Sequence, residues 1–118
     1  MPGKLSTHVL DTAHGCPAQD MQIELWSVTD AESKLLKTLR TNSDGRTDES
    51  LLAAAEMQIG QYGLVFYVGD YFAGKISGSP KVRFLDRVPI RFGIADAKAF
   101  YHVPLLVSPW AYSTYRGS

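Results

Sequence analysis

Short stretches that alternate apolar and polar residues, each closed by a turn signal, constrain this chain more than any other feature. Along residues 5–11, Leu5, Thr7 and Val9 point one way while Ser6, His8 and Leu10 point the other, and a period of two favours a strand. Residues 21–29 repeat the pattern, with Met21, Ile23 and Leu25 set against Gln22 and Glu24. Residues 60–68 form the strongest strand, Tyr62, Leu64, Phe66 and Val68 sharing one face. Residues 34–41 are extended but alternate imperfectly, which leaves open which leucines face inward. Residues 87–94 follow, with Pro89 suggesting an edge position or a strand start, and then two final strands fold back at Ser108-Pro109. The separators are turns by chemistry. Glycine and proline mark His14-Gly15-Cys16-Pro17 as a loop. In Asn42-Ser43-Asp44-Gly45-Arg46 the Asn and Asp side chains bond their own backbone, and Gly45 supplies a positive φ. Asp70 is placed to cap a short helix, and residues 49–58 carry helix formers between strands, so their conformation stays unassigned. Seven or eight short strands predict an all-β sandwich.

At 118 residues the chain is expected to form one domain, 1–118. Twelve basic residues balance twelve acidic ones, which argues against nucleic acid or an anionic membrane as the main partner. A single cysteine, Cys16, excludes an intrachain disulfide framework. No apolar run reaches transmembrane length and the start has no apolar signal core, so a cytoplasmic location is expected. The last hairpin is apolar on both faces: Tyr101, Val103, Leu105 and Val107 on one, Pro104 and Leu106 beside His102 on the other. A sandwich sheet needs only one buried face, so the second implies a further buried surface, most simply between subunits.

Candidate chemistry rests on the histidines and arginines. His8 and His102 lie on outward strand faces, and His14 lies in a loop. A neutral imidazole can take a proton from water near pH 7, and a guanidinium can hold a planar anionic heterocycle through two parallel hydrogen bonds. Such a set suits attack of water on a cyclic amide without a covalent nucleophile. Each residue also has a plainer reading: strand histidines are often solvated, Arg46 after a glycine turn is usually a surface charge, and Arg116 can be a tail residue. The histidine separations match no metal-ligand spacing, Cys16 lacks an activating partner, and the aromatics near Trp110 suit core or interface better than a ligand cage.

Several motifs in order along the chain resemble one family. Leu5-Ser6-Thr7-His8-Val9-Leu10-Asp11-Thr12, Thr41-Asn42-Ser43-Asp44-Gly45-Arg46, Val68-Gly69-Asp70-Tyr71-Phe72, Val88-Pro89-Ile90-Arg91-Phe92-Gly93-Ile94, Tyr101-His102-Val103-Pro104-Leu105-Leu106 and the closing Tyr115-Arg116-Gly117-Ser118 are similar to the signatures of the transthyretin-like family in its 5-hydroxyisourate hydrolase branch. The segment Pro80-Lys81-Val82-Arg83-Phe84 departs from it. The resemblance implies a transthyretin-like β-sandwich of two four-stranded sheets with one short helix. It also implies a homotetramer, a dimer of dimers, with sites in a channel between dimers. The implied reaction is hydrolysis of 5-hydroxyisourate to 2-oxo-4-hydroxy-4-carboxy-5-ureidoimidazoline, with no cofactor and no metal. Carried over position by position, the catalytic set is His8, Arg46, His102 and Ser118, and the substrate-binding set is His8, Arg46, Tyr115 and Arg116. Which histidine is the base stays open. The alternative is a non-catalytic transthyretin-type carrier of an aromatic ligand; the two histidines, Arg46 and the Arg-Gly-Ser ending resemble the hydrolases and not the carriers.

Overall fold

A computed structural model describes residues 2–78 and 80–117. Among these residues nine strands form two sheets. In the first, β1 (Lys4–Asp11) lies between β8 (Phe100–Val107) and two short strands, β2 (Cys16–Pro17) and β5 (Leu52–Ala53), and β9 (Tyr112–Thr114) closes the far edge. The second runs β4 (Ser33–Arg40), β3 (Gln22–Val28), β6 (Gly60–Tyr67), β7 (Arg87–Ile94). The short strands pair with opposite ends of the same β1 edge, Leu10↔Pro17 at one end and Leu5↔Leu52 at the other. They share one position, so the five-stranded sheet is four strands wide, as the expected sandwich requires.

Period two puts alternate residues inside. Leu5 and Val9 of β1, Ile23 and Leu25 of β3, Leu64 and Phe66 of β6, and Leu105 and Val107 of β8 meet in the core with no exposed surface. Thr7, on the same inward face, donates its hydroxyl to the Val103 carbonyl at 2.7 Å, which satisfies a buried polar group. β1 and β8 are parallel, in register from Lys4↔Phe100 to Asp11↔Val107. Pro89 falls on the edge strand β7, opposite Val65, where its missing N–H can face away from the ladder.

Two points left open by the sequence are settled and one expectation, the Asp70 cap, is corrected. The imperfect alternation of β4 coincides with a register shift at Leu25/Trp26; Leu39 packs on the core while Leu35 and Leu36 stay exposed. Residues 49–58 form β5 and one 3₁₀ turn, Ala54–Glu56, because the free edge of β1 claims their backbone: Leu51 N–H bonds the Leu5 carbonyl at 2.9 Å and Ala54 N–H the Gly3 carbonyl at 3.1 Å. The helix α1 (Val68–Ala73) begins before Asp70, which therefore does not cap it. The Asp70 carboxylate instead pairs with Arg83 at 2.7 Å.

Candidate active site

The outward face of β1 carries Lys4, Ser6 and His8, and that of β8 carries Phe100 and His102. The parallel register sets Ser6 beside His102 and His8 beside Pro104, so the two histidines are diagonal neighbours, about 8 Å apart between Cα atoms by strand geometry. Beside His102 lies a depression of about 340 Å³ lined by Lys4, Ser6, Arg46, Phe100, Tyr101 and His102, with His8 next to it but outside its lining. Among the described residues its lining holds two permanent cations and no carboxylate.

Arg46 reaches this place because its turn is fastened to β1. The Asn42 side-chain oxygen accepts from the N–H groups of Asp44 (2.9 Å) and Arg46 (3.2 Å), the self-bonding turn the sequence calls for. Val9 N–H then bonds the Gly45 carbonyl at 2.8 Å. Gly45 has φ +76°, and a Cβ there would lie 2.3 Å from the Val9 carbonyl oxygen, so conformation and space both demand glycine. Arg46 itself is exposed, with no carboxylate paired to it among the described residues.

The same turn orients His8. Its Nε2 lies 2.8 Å from the Asp44 carbonyl oxygen, which can only accept, so Nε2 carries the proton and Nδ1 the lone pair of the neutral ring. His102 has its Nδ1 2.9 Å from Ser6 Oγ. Burial holds the His102 pKa below the ordinary imidazole value, and the charges of Arg46, of His8 when it is protonated, and of Lys4 push it further down. The ring is therefore neutral at pH 7 and able to accept a proton.

The tail passes directly over this histidine. β9 pairs with β8 from Val107↔Tyr112 to Leu105↔Thr114, and the bridge His102↔Gly117 continues the same register. The gap between falls at Pro104, which has no N–H to give; its carbonyl takes the Thr114 hydroxyl at 2.7 Å. Gly117 N–H rejoins the strand at the His102 carbonyl, 2.7 Å away. A Cβ on Gly117 would stand 2.8 Å from Cδ2 of the His102 ring, so only glycine passes without displacing it.

Of the expected residues, then, His8, Arg46 and His102 converge. Tyr115 and Arg116 line a neighbouring cavity with Arg91, Phe92 and Thr114, which shares only Tyr101 with the first. The Arg116 guanidinium sits 4.2 Å from the Tyr101 ring centroid and donates to the Phe100 carbonyl at 3.1 Å, an anchor for the tail. Ser118 lies outside the described residues. Lys4 and Ser6 belong to the site and were not singled out from sequence; their strand parity with His8 was the available signal. His14 is not simply solvated: its Nδ1 is 2.7 Å from the buried carboxylate of Asp11, which also receives the Tyr71 hydroxyl at 2.8 Å. The aromatics Trp110, Tyr112 and Tyr115 are exposed on the single chain, not part of its core. Among the described residues no cluster of three or more His, Cys, Asp or Glu could hold a metal.

The chain is 55% identical to the 5-hydroxyisourate hydrolase of Mesorhizobium japonicum over 98% of its own length and 93% of that protein's. It superposes on the Klebsiella pneumoniae 5-hydroxyisourate hydrolase with a TM-score of 0.81 at 34% identity, covering 98% of this chain and 99% of that one. On (S)-allantoin synthase the TM-score is 0.93 at 47% identity, over 99% of this chain but only 44% of the other. A family model described as the HIUase/Transthyretin family matches residues 5–117, and with the sandwich built as that family builds it, the chain belongs to the HIUase/transthyretin family.

Proposed function

We propose that this protein hydrolyses 5-hydroxyisourate, the product of urate oxidation, to 2-oxo-4-hydroxy-4-carboxy-5-ureidoimidazoline. The observation that carries the reading is near-full-length identity to a relative named for that activity, 55% over 98% of the chain. The site fits the chemistry. Neutral His102 takes a proton from water as the water oxygen bonds the ring carbonyl carbon. The C–N bond then breaks, the leaving nitrogen takes the proton held by His102, and the new carboxyl group releases its own proton to become a carboxylate. Arg46 and Lys4 face that developing negative charge in a depression lined by no carboxylate among the described residues, where preorganised cations are most effective. His8, its Nε2–H tied to the Asp44 carbonyl, supplies a second fixed polar group on the same face. Ser118 is given a role at the site on the resemblance of the closing Tyr115-Arg116-Gly117-Ser118 to the hydrolase branch. Tyr115 and Arg116 hold the tail and stand at the rim of the substrate's approach.

We place 1–118 in one domain and assemble it as a homotetramer, a dimer of dimers. Half-buried Leu10 and Leu106, adjacent on the outward face of β1 and β8, support an assembly through that sheet. The free thiol of Cys16 accords with the reducing cytoplasm. The test is the ultraviolet decay of freshly generated 5-hydroxyisourate. Accelerated loss of its absorbance with catalytic amounts of protein is expected; a decay unchanged by protein overturns the hydrolase and leaves a carrier.

A further inference from the structure

Ser6 is the one polar side chain bonded to the His102 ring among the described residues, Oγ to Nδ1 at 2.9 Å. The two are register partners on adjacent parallel strands, with side chains on the same outward face. A serine side chain is too short to leave the ring's vicinity, so the contact is built into the sheet. We propose that Ser6 is a positioning residue for the hydrolysis: its Oγ accepts the Nδ1–H of His102 and so leaves the lone pair on Nε2 for the attacking water. This rests on the reading of His102 as the base.

A hydroxyl could instead donate to Nδ1, which would put the ring proton on Nε2 and leave no lone pair for water. The surroundings favour acceptance. Ser6 lines a depression with Lys4 and Arg46, and no carboxylate lines it among the described residues. By accepting from His102 it keeps its own O–H free to donate, as a site for an anion requires. A carboxylate in its place would orient the ring as well, but it would cancel a cation and repel an anionic substrate. Through the step the proton from water goes to Nε2, Nδ1–H stays in place, and Ser6 exchanges no proton.

The test has two arms. Imidazole ¹⁵N spectra of histidine-labelled wild-type protein, free of substrate, are expected to show neutral His102 protonated at Nδ1; a ring protonated at Nε2 overturns the proposal whether or not any variant folds. In kinetics, Ser6→Ala should lower kcat roughly tenfold, the worth of one neutral hydrogen bond held through the transition state. KM should change little, and Ser6→Thr should restore kcat. Removing an acceptor from the imidazolium lowers the pKa of the base, so the acid limb of the kcat profile should move to lower pH in Ser6→Ala. A limb that moves up means the hydroxyl donates, and an unchanged kcat means that it positions nothing; either overturns the proposal. Failure of the underlying hydrolase reading shows separately, as absence of turnover in the wild type.

Discussion

A histidine kept neutral by its neighbours sets the pH behaviour of the site. Its pKa lies below the ordinary 6.5, chiefly through burial and then through Arg46, His8 and Lys4. The unfolded chain binds a proton there before the folded one does, so this residue costs stability as pH falls below 6.5 and costs none above it. Turnover has the same sign: kcat/KM should hold down to pH values below 6.5 before it declines, and a limb centred above 6.5 would contradict a depressed base. Replacing His8 or His102 by Ala should lower turnover by about 10²- to 10⁴-fold, the usual worth of a positioned acid–base group. His14→Ala should leave turnover intact. It should nevertheless lower stability by about 1–3 kcal/mol in urea melts, since it removes a partner from the buried Asp11 carboxylate. That carboxylate meets an opposing burial penalty, but the bonds from Tyr71 and His14 win and hold its pKa below the usual value.

The turn and the tail are the two elements that deliver chemistry to the sheet, and each hangs on a glycine. Gly45→Ala should lose more than about 1 kcal/mol, because its φ is left-handed and its Cβ collides with β1; activity should fall with it as Arg46 moves. Gly117→Ala tests the tail. Melting temperature should hardly change, since four terminal residues bury little core, while kcat drops because the new methyl pushes the His102 ring. Deleting residues 116–118 should act the same way, folded but weakly active; full activity would leave the tail without a catalytic role. These elements also mark what a sequence can and cannot display. Parity alone put His8 and His102 on outward faces, and Asn-Ser-Asp-Gly chemistry alone announced the turn before Arg46. Ser6 and Lys4 escaped notice because their importance comes from the parallel pairing of β1 with β8, which no local pattern encodes. The same long-range demand overrode the helix formers of residues 49–58, whose N–H groups are worth more on an open strand edge. Asp70 misled because the helix starts at Val68, which puts Asp70 inside the first turn with its carboxylate on Arg83.

At the scale of the whole molecule, the outward apolar residues of β1 and β8 require cover. Light scattering at micromolar concentration should give about four times the 13.0 kDa chain mass, and a monomer would remove the shared channel from the functional picture. A different consequence follows from the parallel pairing at the centre of the first sheet. Ser6 and His102 stand 96 residues apart in the chain yet touch. A ribosome therefore releases β1 long before its principal neighbour exists, and the early strand must wait with one edge unsatisfied. Closing a loop of that size is entropically slow, so the last steps of folding and the birth of the site should coincide. In refolding from urea, recovery of turnover should track the slowest phase that restores β-sheet signal. Fragments that end before β8 should fold poorly and aggregate through the open edge of β1.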